Sequence, residues 1–482
     1  MTTLALGGTK ATAAITYTNI TSVPWISFGP LLSVSNGVFY GTSNRGGTNA
    51  PRGSIFSVSE SGQMDTLYAF SSSTATNANS PMGPLLMIGT DLYGSANGLI
   101  FNRGHLFKYN VLADTYTNIL RFDGTNNGDG PMGGVITIPG SGIVYYTTPS
   151  GGSSGNYGVV GAVSTNGSLL WVTPFANTNG ASPWAGLTYN PNDGYLYGLT
   201  ESGGKYDAGA FFRVNPTNHS ITALHSFTNT TDGGNPQQAL VLGPDNIFRS
   251  TWSSGAGGVF QIKPTGEYKV LYTFPGTDYT FPQGLTPGPN GDYFGVTWFG
   301  GSANGGQVFR ITTNGDFSVL IDLIPTGSAV FKANTLTFGT NGNLFGTAVV
   351  QTNIFQVSVP LVPFIQKIEG LNTNTLRVTI NSAAGQSYVL KAYSGDLSMT
   401  PLIVSNTAVG GTDTFDITGI TNGYGFYQTG VFTNGLPTSY HTNMTKGIYP
   451  PPITYSNLAQ LPMLPALGGG TNGSGGGGPP LP

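Results

Sequence analysis

The chain contains no cysteine, which excludes disulfides, thiolate metal sites and cysteine nucleophiles and leaves the redox compartment undecided. Charge is scarce as well. Asp, Glu, Lys and Arg make up 8% of the 482 residues, against about 25% in an ordinary soluble domain. The 17 basic and 20 acidic residues leave a formal net charge of -3, which offers no electrostatic footprint for nucleic acid or an anionic membrane. No stretch approaches the roughly 18 consecutive apolar residues of a membrane helix. The opening MTTLALGGTKATAAITYTNI has neither the basic leader nor the apolar segment of a secretory signal, so the chain reads as soluble. Histidine is confined to His105, His219, His225 and His441, and H-E-x-x-H does not occur; metal-dependent and triad hydrolysis have no evident seat. Helical periodicity is missing too, because each apolar run is far shorter than a helix of about 11 residues. What fills the chain is glycine, 74 residues of it, with Thr, Asn and Ser, and aromatics at 12%. A disordered chain has few aromatics and a high net charge, so this one folds.

A phrase returns along the sequence. Aligned on the YG of GYLYGLTESGGKYDAGAFFRV (194–214), the elements VFYGTS, DLYGSA, VYYTTP, YLYGLT, NIFRST, DYFGVT and NLFGTA place Gly41, Gly94, Thr147, Gly198, Arg249, Gly295 and Gly346 in one slot, at steps of 46 to 53 residues. Each unit opens with a short apolar run such as GPLLSV, turns into the aligned element, crosses a Gly-rich loop and gives a second run such as GAFFRV. Six units close with a fourth run such as LYAF or LHSF. Four short strands bounded by turn residues follow from this punctuation. A unit of that size cannot bury both faces alone, and radial stacking into a β-propeller lets each blade cover its neighbour. The seventh unit stops after NIFQVSV without a closing strand, while AAITYTNIT (13–21) has a strand's alternation. Residues 1–358 therefore predict an all-β, seven-bladed propeller closed by an N-terminal strand, which covers the sheet edge that the seventh unit would otherwise leave open. The LYG(T/L)(T/S) element, the GG loop, the G-x-(I/V/F)-F-x-(I/V) element and the junction FTNTTDGGNP (227–236) together resemble the GloVer tandem repeat of bacterial choice-of-anchor surface proteins. That likeness covers roughly residues 28–357. It implies a propeller-like repeat exposed at a surface; the family is defined by repetition rather than by an activity.

Beyond residue 360 the runs TLRVTI, GQSYVLKAY, TPLIVS, DTFDIT and GFYQTGVF alternate between Gly, Asn and Asp turns, which predicts a small β-sandwich over 359–437. This stretch resembles the C-terminal sandwich modules that follow such repeats in secreted bacterial proteins. Residues 438–482 are dominated by Pro and Gly with almost no charge, the composition of an extended tail suited to contact with neighbouring subunits.

Chemistry-bearing residues are few. Most aspartates sit in turn contexts, DG at Asp123, Asp129, Asp193 and Asp232 among them, which turn chemistry explains without catalysis. DGTNNGDG (123–130) imitates the start of a calcium loop, but Gly134 stands where the acidic twelfth residue belongs, so no metal and no cofactor is assigned. Consecutive antiparallel strands bring the loop after each second strand and each blade junction to the same face of the disc. That face gathers Trp252 and Trp298 from second-strand loops, Trp184 from a junction, and Lys205 and Tyr206 from the repeated phrase. Aromatics among neutral polar groups on a rigid scaffold suit stacking on a sugar or contact with a protein; they equally suit covering the seams between blades. The expectation is a non-enzymatic surface or assembly protein, extracellular, at a cell surface or on a virion. Its loop face binds a glycan or surface protein, and its sandwich and tail dock it into a larger body. The alternative is a carbohydrate-active hydrolase or lyase using loop-face carboxylates.

Overall fold

The computed structural model describes residues 15–359, apart from 24, 27–28, 35, 47–51, 71–79, 99–102, 277–279, 289–290, 325–331 and 349–351, together with strand backbones between 365 and 441. Two compact units are present, one spanning Ala13–Pro360 and the other containing the chain from Leu361 onward.

The first unit is a seven-bladed propeller of four-stranded antiparallel sheets. Blades 1 to 6 occupy residues 32–69, 86–121, 136–174, 188–226, 241–273 and 286–322, each with its strands in chain order. Blade 7 contributes three strands between 337 and 358, and Thr16–Ser22 supplies the fourth. Its register runs from Thr16 opposite Ser358 to Ser22 opposite Asn353, as the alternation of AAITYTNIT predicts.

The first strand of each blade lies innermost and carries a buried aliphatic residue just ahead of it: Leu31, Leu85, Val135, Leu187, Leu240, Leu285 and Leu336. Threonines link neighbouring inner strands. Thr188 Oγ1 donates to the Leu240 carbonyl at 2.7 Å and Thr286 Oγ1 to that of Leu336 at 2.5 Å. Thr337 Oγ1 donates to the Leu31 carbonyl at 2.7 Å, so the junction of last and first blade is tied in the same way as those two. Further out, rings from successive fourth strands stack across the seams: Tyr68 on Tyr116 at 4.0 Å, His225 on Tyr268 at 4.9 Å and Tyr272 on Phe317 at 3.8 Å.

Two glycine positions explain the repeated phrase. The glycine preceding or opening the third strand (Gly53, Gly104, Gly158, Gly209, Gly257, Gly306) has φ between +78° and +106°, where other residues are strained. Its carbonyl accepts the N–H of the residue just after the fourth strand, Phe70, Phe122, Phe175, Phe227, Phe274 or Leu323, at 2.9–3.1 Å. The second position is the aligned slot itself. At Gly198 an added Cβ would lie 2.5 Å from Cζ of Phe212, whose ring covers the backbone there; Gly41, Gly94, Gly295 and Gly346 are covered likewise by Phe56, Phe107, Phe309 and Phe355.

This register corrects the sequence alignment in two units. In blade 3 the slot holds Tyr146, not Thr147, and the partner is Gly161, so ring and glycine have exchanged strands. In blade 5 it holds Ser250 opposite Phe260, not Arg249. Arg249 is instead buried in the seam with blade 6, where it pairs with Asp245 at 2.6 Å and donates to Tyr293 Oη at 3.1 Å.

In the second unit Ile365–Asn372, Thr375–Ser382 and Gly411–Thr418 form one antiparallel sheet. Leu402–Thr407, Ser387–Tyr393, Phe426–Thr433 and Leu436–His441 form the other, in that order. This is the strand order of an immunoglobulin-like sandwich whose fourth strand sides with the second sheet. Its last strand runs to His441, past the position 438 at which composition places the tail; residues 442–482 lie outside the described residues.

Candidate functional site

At six of the seven blade junctions a corresponding residue lies in the left-handed region: Ser80, Gly130, Ser182, Asn235, Phe281 and Lys332, with φ between +44° and +63°. Gly suits this conformation and Asn tolerates it, whereas a bulky side chain there is an outlier. The last two junctions are therefore the unusual ones. They are also shorter, with four residues from the left-handed position to the buried Leu285 or Leu336, against five from Ser80 to Leu85 or from Asn235 to Leu240.

Both bulky residues meet at Trp298, in the loop after the second strand of blade 6. Phe281 stacks on the Trp298 ring at 6.2 Å and meets Phe299 edge-on at 6.0 Å. The Lys332 ammonium stands 5.2 Å from the Trp298 ring and 5.4 Å from that of Phe299. All four residues are half-buried. Hydrogen bonds fix the platform: Trp298 Nε1 donates to the Ala333 carbonyl at 2.9 Å, its backbone N–H to those of Thr280 and Phe281, and Phe299 N–H to Thr280 at 3.2 Å. The result is a held pair of rings with a cation beside them, on the face formed by loops.

The other residues singled out in the sequence do not join this group. Trp252 is buried in the core of blades 4 and 5, with ring atoms 2.4 Å from a Cβ built at Gly233 and 2.1 Å from one built at Gly258; it fills a seam. Lys205 and Tyr206 are exposed on the blade 4 loop and form their own cation–π pair at 5.0 Å. Trp184 is half-buried at the junction of blades 3 and 4, and its buried Nε1 has no hydrogen-bond partner. Phe281, Phe299 and Lys332 escape the sequence reading. The available signal was the bulky residue in YTFPQG and VFKANT where other units carry Ser, Gly or Asn.

Among the described residues, the carboxylates on this face are engaged by their surroundings. Although partial burial pushes it up, Asp123 is brought down to about 2 by the backbone N–H groups of Thr125, Asn127 and Asn126 and by the Asn126 side chain, so its oxygens serve the turn. Gln307 and then Ser302 hold Asp322 below the usual carboxylate range. Asp129 pairs with Arg103, Asp207 accepts from Gly203 N–H at 3.0 Å, and Glu201 accepts from Gln237 at 2.6 Å. Asp232 accepts from Thr228 N–H at 2.9 Å and bonds His225 Nε2 at 3.0 Å. Among the described residues, no group of three or more His, Cys, Asp or Glu side chains is arranged to hold a metal ion. No helix among them is long and apolar enough to cross a membrane.

The strand order, ring closure and repeated junction define a tandem-repeat β-propeller whose blades share one scaffold and differ in their loops. The Gloeobacter/Verrucomicrobia repeat matches residues 3–190 and 140–354, and the chain belongs to that family. No curated protein is similar to it in sequence. Solved structures similar to it include the extracellular domain assigned to a hybrid two-component system of B. thetaiotaomicron, at 8% identity and TM-score 0.48. That match covers 88% of this chain and 48% of the other, so the chain spans about half that domain's length. A xyloglucanase from Xanthomonas campestris is similar at 11% identity, 89% and 75% coverage and TM-score 0.49. Hydrazine synthase of Kuenenia stuttgartiensis is similar at 12% identity, 73% and 99% coverage and TM-score 0.48. What those proteins sense or convert belongs to them.

Proposed function

We propose that the protein is a non-catalytic binding propeller that presents its loop face to a glycan or a surface protein. It acts outside the cell, at a cell surface or on a virion, while the C-terminal sheets and the tail dock it into a larger assembly. One observation carries this reading: the Phe281, Trp298, Phe299 and Lys332 platform, half-exposed and built on two backbone outliers. Left-handed Phe and Lys cost of order 1–2 kcal/mol each, and such strain concentrates where a protein binds or switches. Engagement of the described loop-face carboxylates in turns and pairs supports binding over cleavage, since a glycosidase needs two carboxyl groups free to face a scissile bond.

Glycan-array binding combined with a turnover assay tests this. The expected outcome is retention of a glycan without product, with retention falling at least tenfold in Trp298→Ala. Release of product that Glu201→Gln abolishes would establish the hydrolase or lyase alternative instead.

A further inference from the structure

We infer that the group formed by Phe281, Trp298, Phe299 and Lys332 is a subsite for a carboxylate-bearing saccharide, a uronic-acid unit, with the Lys332 ammonium as partner of the carboxylate and the rings as stacking platform. The inference rests on the glycan-binding reading above and names the ligand class.

Lys332 carries the specificity. Among the described residues it has no acidic partner, and its near neighbours are two ring faces at 5.2 and 5.4 Å. A ring face attracts the charge but accepts none of its three N–H donors in a strong hydrogen bond. Those donors remain for an incoming anion, and a carboxylate takes them in charge-assisted hydrogen bonds. The platform is preorganised, because Trp298 is tied through Nε1 to Ala333 and through its backbone to Thr280 and Phe281, so little side-chain freedom is lost on binding.

A pyranose supplies the other half of the match. Its C–H face stacks on the rings while a C6 carboxylate at its rim reaches the ammonium. An acidic peptide offers the carboxylate without the flat apolar face, and a neutral sugar offers the face without the charge. The strain has the same logic: the left-handed backbone at Phe281 and Lys332 aims both side chains at Trp298, where the other junctions have Ser80, Gly130, Ser182 and Asn235.

The test is calorimetric titration of the full chain with oligomers of galacturonate and glucuronate, their methyl esters, galactose and glucose oligomers of equal length, and polyglutamate. Acid oligomers are expected to bind, with affinity falling as salt rises, and the methyl esters to bind at least tenfold more weakly. Lys332→Asn is expected to lower acid-oligomer affinity at least tenfold without lowering Tm, since Asn accepts the left-handed backbone. Lys263→Gln, which removes the same charge at a turn between the third and fourth strands of blade 5 on the opposite face, should leave affinity unchanged. Equal affinity for acids, esters and neutral oligomers would overturn the inference and leave glycan binding standing. Polyglutamate binding with the same Lys332 dependence would overturn the saccharide assignment. Binding to no saccharide of the panel would overturn the inference and count against the glycan reading as well.

Discussion

His105 opens the third strand of blade 2 with its side chain fully buried, its Nε2 bonded to Tyr116 Oη at 2.5 Å and its ring edge-on to Phe107. Burial, helped by the Arg121 charge, pushes its pKa down from 6.5 to about 3. The folded protein therefore keeps the ring neutral where the unfolded chain takes up a proton. Its stabilising contribution is complete above about pH 6.5 and is lost progressively as pH falls toward 3. At roughly 1.36 kcal/mol per pH unit, acidification from pH 7.5 to 4.5 should remove up to about 2.7 kcal/mol through this residue. Urea midpoints at the two pH values check it: His105→Gln should be less stable at pH 7.5 yet show a flatter pH dependence, and an unchanged slope would contradict the assignment. Sequence alone gives no sign of this histidine's burial, because HLFKYN shows alternation without saying which face meets the next blade. The binding platform is hidden for a related reason. Trp298 is legible as a loop aromatic, but its partners Phe281 and Lys332 come from junctions that only the ring geometry brings together.

At the scale of the strand pair, the repeat is the most legible feature. The turn glycines and apolar runs mark four strands per blade, because each has a fixed task in the ladder and the seam. The misalignments in blades 3 and 5 have a physical source: the conserved quantity is the pairing of a ring with a bare backbone, not the glycine itself. Tyr146 over Gly161 satisfies it with the strands exchanged, and Ser250 opposite Phe260 satisfies it with a small side chain. Gly198→Ala puts a methyl group 2.5 Å from Phe212 and 3.1 Å from Leu187. Overpacking of this kind costs about 1–3 kcal/mol, and blade 5 shows that the slot adapts to a Cβ rather than forbidding it. The expected outcome is a lower urea midpoint with unchanged slope; an unaltered midpoint would mean that the Phe ring is free to move away. In the second unit, the strands Ile365–Asn372 and Leu436–His441 are not legible in the sequence, since IQKIEGLN and LPTSYH interrupt alternation with Gly, Pro or consecutive polar residues.

For the whole molecule, the missing strand of the seventh unit and the surplus strand at the chain's beginning are two halves of one statement. Thr16–Ser22 completes blade 7, Thr337 bonds Leu31, and Phe39 packs on Phe345 at 4.7 Å, so the last and first blades share the same kind of core as any neighbouring pair. A closed ring leaves no blade face uncovered, and its stability depends on the two ends of the propeller staying together. The absence of native cysteine makes that closure directly measurable. Thr18 lies opposite Gln356, with neither side chain buried. The variant carrying both Thr18→Cys and Gln356→Cys should form an intramolecular disulfide on mild oxidation and unfold at a higher urea concentration than its reduced form, because the bond closes a loop of more than 300 residues. Failure of the pair to crosslink, or crosslinking only between separate chains, would contradict the closed propeller on which the loop face depends.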